Sequence, residues 1–168
     1  MPSSSSRRIN LPQAPNPVPA PGVSVQPDPW YGMGLRFHCT QCGNCCSGGP
    51  GYVWLTYTDM LRIADFLNLP VDQFTRRYVR QVSGGFSLIE KPGYDCIFLN
   101  RQDGKAMCGI YPVRPTQCRT WPFWNQNLAS PDAWTQAAAR CPGMCDADAP
   151  MYAPDHIEKC RTHPESPQ

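Results

Sequence analysis

The sequence predicts a small, loop-rich α+β protein, in which a few short helices and a small antiparallel hairpin are organised around a cysteine-rich metal centre. The chain has 168 residues with 10 Cys, 20 Pro and 13 Gly. Proline and glycine well above their average share of roughly 12% limit the length of regular elements. Four of the cysteines lie together near the start of the ordered region, where a cluster of thiols favours metal binding.

Composition also indicates which partners to expect. The net charge is only +2, from 15 Lys+Arg against 13 Asp+Glu, so nucleic acid is not expected as a partner. No apolar run approaches the roughly 20 residues of a membrane-spanning helix, so we expect no membrane partner. The expected partners are metal ions, and the sequence identifies no protein partner.

The chain is predicted to have three parts: a disordered tail over residues 1–30, a cysteine-cluster metal-binding domain over 31–150 and a short C-terminal extension over 151–168. The tail is rich in Pro and Ser, and its prolines prevent an amphipathic presequence helix. No apolar segment follows Arg7 and Arg8, which argues against a secretory signal. We therefore expect a cytoplasmic protein, in which dense cysteine indicates metal binding or catalysis rather than disulfides.

Two amphipathic helices are predicted after the first cysteines. Thr56 is the expected N-cap of the first, with Asp59 in the capping-box position. Its apolar residues recur at helical spacing and are Met60, Ile63, Ala64 and Leu67. The second helix is predicted from Val71 to about Gln81, because Phe74 and Tyr78 continue its apolar face.

The remaining elements are predicted to be short. A hairpin is expected from strands 86–90 and 96–99, and Asp103-Gly104 marks a second tight turn before 106–108. Three prolines prevent a long helix over 109–124. Ser130 and Pro131 predict a helix that reaches about residue 140, and a last helix is expected from Pro154.

The spacing Cys39-x-x-Cys42-x-x-Cys45-Cys46 is the most informative feature of the sequence. A C-x-x-C loop lets two thiolates reach one metal, and Gly43 suits the turn between them because it tolerates positive φ. Four thiolates in eight residues repel one another unless protons or a cation neutralise them. Of the other cysteines, Cys96, Cys108 and Cys118 in particular are interpreted as the second half of the same centre.

These residues resemble the YkgJ-type, or CxxCxxCC, cysteine-cluster family, which is proposed to chelate zinc or iron. The resemblance runs from about Phe37 to Gly143. It is carried by the first four cysteines, Leu55-Thr56, Phe74 and Tyr78, Cys96-Ile97-Phe98-Leu99, Cys108-Gly109-Ile110-Tyr111, Arg114-Pro115-Thr116-Gln117-Cys118-Arg119, Trp121-Pro122-Phe123 and Cys141-Pro142-Gly143. The resemblance implies metal chelation through Cys39, Cys42, Cys45, Cys46, Cys96, Cys108, Cys118 and Cys141. Cys145 and Cys160 lie outside the pattern.

Two arginines and three aromatic residues are candidates to support the centre. Arg114 and Arg119 flank Cys118, and their guanidinium groups would offset thiolate charge. The alternative is that both are ordinary surface residues of a loop. The aromatic residues Trp121, Phe123 and Trp124 are expected to shield the metal from water.

The sequence leaves the metal open between zinc and iron, including an iron–sulfur cluster. Zinc takes four thiolates in a closed tetrahedron. Iron–sulfur clusters also use four cysteines, but the adjacent Cys46 departs from the ferredoxin spacing. We interpret the protein as a metal-binding module of undefined activity. The alternatives are a small metalloenzyme or maturation factor that modifies a protein or peptide, and a metal chaperone. Asp59, Asp95 and Tyr111 are the available acid–base groups, and none stands out.

Two further expectations concern how the metal is held. Adjacent side chains in an extended or turn backbone point in different directions, so we expect either that Cys45 and Cys46 serve different metal positions or that one of them bridges two metals. Cys46 is expected to turn towards Cys96, Cys108 and Cys118. Folding is expected to depend on the metal, because the ligands close a long loop and the elements between them are short.

Overall fold

The computed structural model describes residues 29–163. Almost all of the predicted N-terminal tail, residues 1–28, therefore lies outside the described residues. The described part is a mixture of short helices and three small antiparallel sheets, which confirms the predicted α+β class.

The first two helices pack together through their apolar faces. Helix α1, Tyr57–Phe66, begins at Thr56 with the predicted capping box, in which the Thr56 and Asp59 side chains each bond the other's backbone amide. Helix α2, Val71–Tyr78, follows and buries Phe74 completely. The prediction that α2 reaches residue 81 is wrong, because Val79–Val82 leaves the helix as a strand.

A three-stranded sheet covers these helices. It contains β2 (Trp54–Leu55), β3 (Val79–Val82) and β4 (Gly85–Leu88) in the order β2-β4-β3. The hairpin predicted between 86–90 and 96–99 is reduced to a single bridge from Glu90 to Cys96. Strand β4 pairs instead with the nearer β3, because Gly84, with φ +99°, allows a tight turn between them.

A second hairpin and the proline-rich segment that follows it complete this half of the protein. Strands β5 (Leu99–Gln102) and β6 (Lys105–Cys108) pair across the predicted Asp103-Gly104 turn, in which both residues have positive φ. A 3₁₀ turn, Tyr111–Val113, and helix α3, Thr116–Thr120, follow. The core of this half contains Leu55, Met60, Ile63, Ala64, Phe74, Leu88, Phe98 and Ile110.

A separate core joins the two ends of the described chain. Strand β1 (Leu35–Arg36) pairs with β7 (Met151–Tyr152). Three short helices lie nearby: α4 (Asn125–Leu128), α5 (Pro131–Ala138), which starts at the predicted cap Ser130, and α6 (Pro154–Arg161). The buried residues of this core are Tyr31, Phe123, Leu128 and Ile157. Residues 151–161 thus pack onto the domain through β7 and Ile157.

Candidate metal centre

Cysteines from four parts of the chain surround one cavity of about 270 Å³. The six cysteines that line it are Cys39, Cys45, Cys46, Cys96, Cys108 and Cys118. Cys39 and Cys45 are exposed and the other four are half-buried, so the cavity is open to solvent beside the first cysteines. All six were predicted as ligands from the sequence.

The backbone around Gly43 directs the first cysteines into the cavity. Gly43 has φ +77°, and a Cβ atom there would lie 2.5 Å from the Cβ of Ala106, so the loop packs closely on β6. The 3₁₀ turn Asn44–Cys46 begins at this glycine. The amide of Cys96 donates to the carbonyl of Cys46 over 2.8 Å, which fixes the second cysteine group against the first.

The sulfurs of Cys45 and Cys46 are 3.7 Å apart. The prediction that these neighbouring side chains point in different directions is therefore wrong, because it assumed an extended or turn backbone and the residues lie in a 3₁₀ turn. Two thiolates on one tetrahedral zinc, each about 2.3 Å from the metal, are about 3.8 Å apart. The observed spacing suits two ligands of the same ion.

Cys42 and Cys141 lie beside the cavity but are not among the residues that line it. Cys141 is buried, and the charges of Cys42 and Cys45 reach its sulfur. The loop that carries Cys141 is joined to the segment before Cys39 by a 3.2 Å hydrogen bond from the amide of His38 to the carbonyl of Gly143. The His38 side chain pairs with Asp146 at 3.1 Å.

The two cysteines outside the predicted set lie elsewhere. The sulfur of Cys145 contacts the carbonyl of Ala138 at 3.6 Å. The sulfur of Cys160 lies 3.5 Å from Nε2 of His156 on the same helix, α6. Neither is among the residues that line the cavity.

Burial and mutual repulsion oppose ionisation of most cavity thiols. Burial raises the pKa of the Cys96, Cys108 and Cys118 thiols. The hydrogen bond between Cys45 and Cys46 lowers the pKa of Cys45 to about 7. The same bond is the largest cause that raises the pKa of Cys46. A bound cation would offset the repulsion between neighbouring thiolates and would stabilise the ionised form that metal ligation requires.

Of the two predicted arginines, the structure brings Arg114 to the cavity and does not bring Arg119. Arg114 lines the cavity. The largest influence on the pKa of Cys45 is its hydrogen bond with Cys46, and the largest on the pKa of Cys108 is burial; the charge of Arg114 lowers both pKa values by a smaller amount. Its guanidinium group lies over the Tyr111 ring, 3.9 Å from the centroid. Arg119 is exposed and donates to Oγ1 of Thr116 at 2.6 Å.

The predicted aromatic shield is partly in place. Trp121 and Trp124 line the cavity and meet edge to face at 4.8 Å. Phe123 instead belongs to the separate core around Ile157. Three aromatic residues that were not proposed as part of the shield also line the cavity: Phe37, Tyr111 and Tyr52, the last of which stacks on Trp54 at 4.9 Å.

The candidate acid–base groups are engaged differently. Asp59 caps α1 and pairs with Arg62, and Asp95 pairs with Arg101 at 3.5 Å. Tyr111 lines the cavity under Arg114.

Gln117 is a positioning residue that sequence reasoning missed. Its Oε1 accepts from the amide of Trp54 at 2.7 Å, and its Nε2 donates to the carbonyl of Tyr52 at 3.1 Å. These bonds join α3, which carries Cys118, to the first residue of β2 and to Tyr52 just before it. A buried glutamine has no periodic signal in a sequence, so only its position beside Cys118 could have indicated this role.

The donor set fits a metal. Six thiols around one cavity provide the soft ligands that zinc and iron–sulfur clusters use, and a guanidinium group adjoins them. Within residues 29–163, no three His, Cys, Asp or Glu side chains are grouped closely enough to hold one ion. The six sulfurs therefore surround the cavity at distances too great for three of them to bind one ion in this arrangement.

A protein-family model matches residues 38–146, more than half of the chain, and its description is "Putative zinc- or iron-chelating domain". The chain belongs to the CxxCxxCC family. This CxxCxxCC domain covers all eight cysteines that the resemblance implied as ligands, and it includes every residue that lines the cavity except Phe37.

A relative is known from an archaeon. The CxxCxxCC protein is 38% identical over 93 residues to "Uncharacterized protein MJ0661" of Methanocaldococcus jannaschii, and the match covers 55% of this chain and 48% of that protein. The chain thus aligns with about half the length of this curated relative. No solved structure matches the chain. Among the described residues, no helix is both long and apolar enough to span a membrane.

Proposed function

We propose that this protein is a thiolate metal-binding module, whose six cavity cysteines bind zinc or iron. The arrangement of these six sulfurs around one cavity carries the proposal. Buried thiols with raised pKa values would otherwise repel one another on ionisation, and a metal both neutralises and orders them.

The size of the cavity favours a centre with more than one metal ion. The cavity measures about 270 Å³, whereas a cavity of roughly 10–15 Å³ already admits a water molecule. A single zinc would draw four sulfurs to about 3.8 Å from one another and leave little space. Two tetrahedral zinc ions that share two bridging sulfurs use six thiolates, and an iron–sulfur cluster uses four.

Two further cysteines and one arginine complete the proposed centre. Cys42 and Cys141 lie close enough for their charges to interact, and they extend the ligand set to the eight that the family pattern implies. Arg114 offsets the negative charge of the thiolates from the wall of the cavity. Arg119 is not among the residues that line the cavity.

The test is metal analysis of protein purified without oxygen. We expect more than one metal ion per chain, either zinc without sulfide or iron with acid-labile sulfide and visible absorption. The two results distinguish a zinc–thiolate centre from an iron–sulfur cluster. Protein that binds neither metal, even after reconstitution with zinc or with iron and sulfide, would refute the proposed function.

Single substitution of the two adjacent cysteines tests whether they share an ion. Because their sulfurs are 3.7 Å apart, Cys45→Ser and Cys46→Ser are expected to cause the same loss of metal, at least one ion per chain. Cys145→Ser is the matched control and should keep the full metal content, since Cys145 lies outside the cavity. Loss of different amounts of metal from the two variants would restore the prediction of separate positions.

Exposure of two ligands favours a second candidate function, that of a metal chaperone. Cys39 and Cys45 are exposed, so a competing thiol could reach the centre. A chaperone should transfer its metal to a chelating acceptor within minutes, and Cys39→Ser should slow this transfer more than it lowers metal content. Retention of the metal for days would favour a binding module that does not pass its metal on.

A further inference from the structure

The C-terminal part of the chain carries a second group of metal-binding side chains, outside the cavity. The chain contains three histidines, and two of them, His156 and His163, lie within four residues of Cys160. None of these three residues lines the cavity, and all of them lie beyond residue 146, where the family match ends. The proposed function therefore assigns them no role.

The imidazole of His156 faces the sulfur of Cys160 across one turn of helix α6. Residues four apart on a helix are neighbours, and here Nε2 of His156 lies 3.5 Å from Sγ of Cys160. A nitrogen and a sulfur bound to one tetrahedral zinc, at about 2.0 Å and 2.3 Å from the metal, are about 3.5 Å apart. The helix thus holds two side chains at the separation that a shared zinc ion requires.

Aromatic packing holds the His156 ring in this orientation. The ring lies against that of Tyr152, with 4.9 Å between the centroids, and meets Phe123 edge to face at 6.2 Å. Helix α6 is itself anchored by Ile157, which is completely buried. His156 is nevertheless exposed and Cys160 half-buried, so an ion from solvent can reach both side chains. A rigid, accessible pair of this kind is prearranged for metal binding.

The spacing of His163 places it on the same helical face as the pair. His156, Cys160 and His163 occupy positions i, i+4 and i+7, which share one side of an α-helix. Helix α6 ends at Arg161, and the next residue, Thr162, has φ −91° and ψ 2°. These angles differ from helical values mainly in ψ, by about 45°. Among residues 29–163, no three such side chains are grouped closely enough for one ion, so a rotation of the backbone at Thr162 has to bring His163 to the pair.

We propose that His156, Cys160 and His163 form a second, open zinc site, separate from the cysteine-lined cavity. Imidazole nitrogen and thiolate sulfur are the ligands that zinc favours. Three protein ligands leave the fourth tetrahedral position to water or to another molecule, as in zinc sites that are not closed. Binding of the ion extends α6 as far as His163.

The test is equilibrium dialysis of the full-length protein against zinc, after the cavity centre has been loaded without oxygen. We expect wild type to bind one more zinc ion per chain than Cys160→Ser or His163→Ala. Cys145→Ser is the matched control and should bind as much zinc as wild type, because Cys145 is an exposed cysteine that belongs to neither site. Wild-type zinc content in Cys160→Ser or His163→Ala would overturn the proposal and leave the 3.5 Å contact as a hydrogen bond only.

Alkylation of a single thiol gives a readout that is specific to this site. Added zinc should block the reaction of Cys160 with N-ethylmaleimide, followed by mass spectrometry, in wild type but not in His156→Phe. The phenylalanine keeps an aromatic ring against Tyr152, so this variant is expected to fold. Equal alkylation of wild-type Cys160 with and without zinc, or protection that persists in His156→Phe, would overturn the proposal. Because the readout follows Cys160 alone, a cavity that binds no metal would refute the proposed function and leave this inference standing.

Discussion

Removal of the metal is expected to abolish the cooperative thermal unfolding transition of this protein. Structural thiolate sites contribute on the order of 10 kcal/mol or more, whereas whole domains are stable by about 5–15 kcal/mol. The six cavity cysteines come from four separate parts of the chain, and Cys96 and Cys108 also pack against the first core. Without metal, these parts of the chain lose the bonds through the ion and keep only a few hydrogen bonds to one another, such as that from the Cys96 amide to the Cys46 carbonyl.

The measurement is thermal unfolding followed by circular dichroism, before and after chelation under reducing conditions. Cys42→Ser combined with Cys45→Ser should reproduce the chelated state. Addition of the same metal to the chelated wild type, but not to the double variant, should restore the transition. A metal-free protein that melts cooperatively within about 5 °C of the loaded one would contradict this expectation.

Gly143→Ala is expected to destabilise the loaded protein by about 3 kcal/mol or more. A Cβ atom at this position would lie 1.7 Å from the carbonyl oxygen of His38, and 2.9 Å from its carbonyl carbon. Backbone cannot move aside as a side chain can, so the penalty reaches or exceeds the upper end of the usual 1–3 kcal/mol for overpacking. The contact joins the segments that carry Cys39 and Cys141, so bound metal should decrease too.

Gly49→Ala is the matched control. A Cβ atom there has no neighbour within 4 Å, so its effect should stay within about 0.5 kcal/mol. Urea unfolding of the two variants and wild type, with metal per chain measured on the same samples, compares them directly. Equal midpoints for Gly143→Ala and Gly49→Ala would show that the two loops separate without loss of stability.

Local signals predicted several elements correctly. The Thr56–Asp59 capping box, the Ser130 cap and the Asp103-Gly104 turn each depend on interactions within four residues, and all three form as predicted. The end of α2 was wrong for the opposite reason. Val79–Val82 continues an apolar pattern that suits either helix or strand, and its pairing with β4 decides between them.

The candidate site likewise has features that the local sequence predicts and features that depend on the folded structure. C-x-x-C spacing, which is a local signal, identified Cys39, Cys45 and Cys46 as cavity residues. The family resemblance was needed to assign Cys96, Cys108 and Cys118 as ligands, because they are distant in sequence. The directions of Cys45 and Cys46 depend on the positive φ at Gly43 and the 3₁₀ turn after it, which spacing alone does not reveal. The role of Gln117 depends on its contact with the first residue of β2, so it required the three-dimensional arrangement.

The pairing of β1 with β7 has a consequence for biosynthesis. Leu35 leaves the ribosome long before its partner Tyr152. At about 5–20 residues per second, the interval is on the order of ten seconds. During it, Cys39, Cys42, Cys45 and Cys46 are already outside the ribosome while Cys118 and Cys141 have yet to appear. The nascent chain thus presents reactive thiols before it can assemble its centre, so oxygen or a scavenging metal encountered during translation would compete with correct loading.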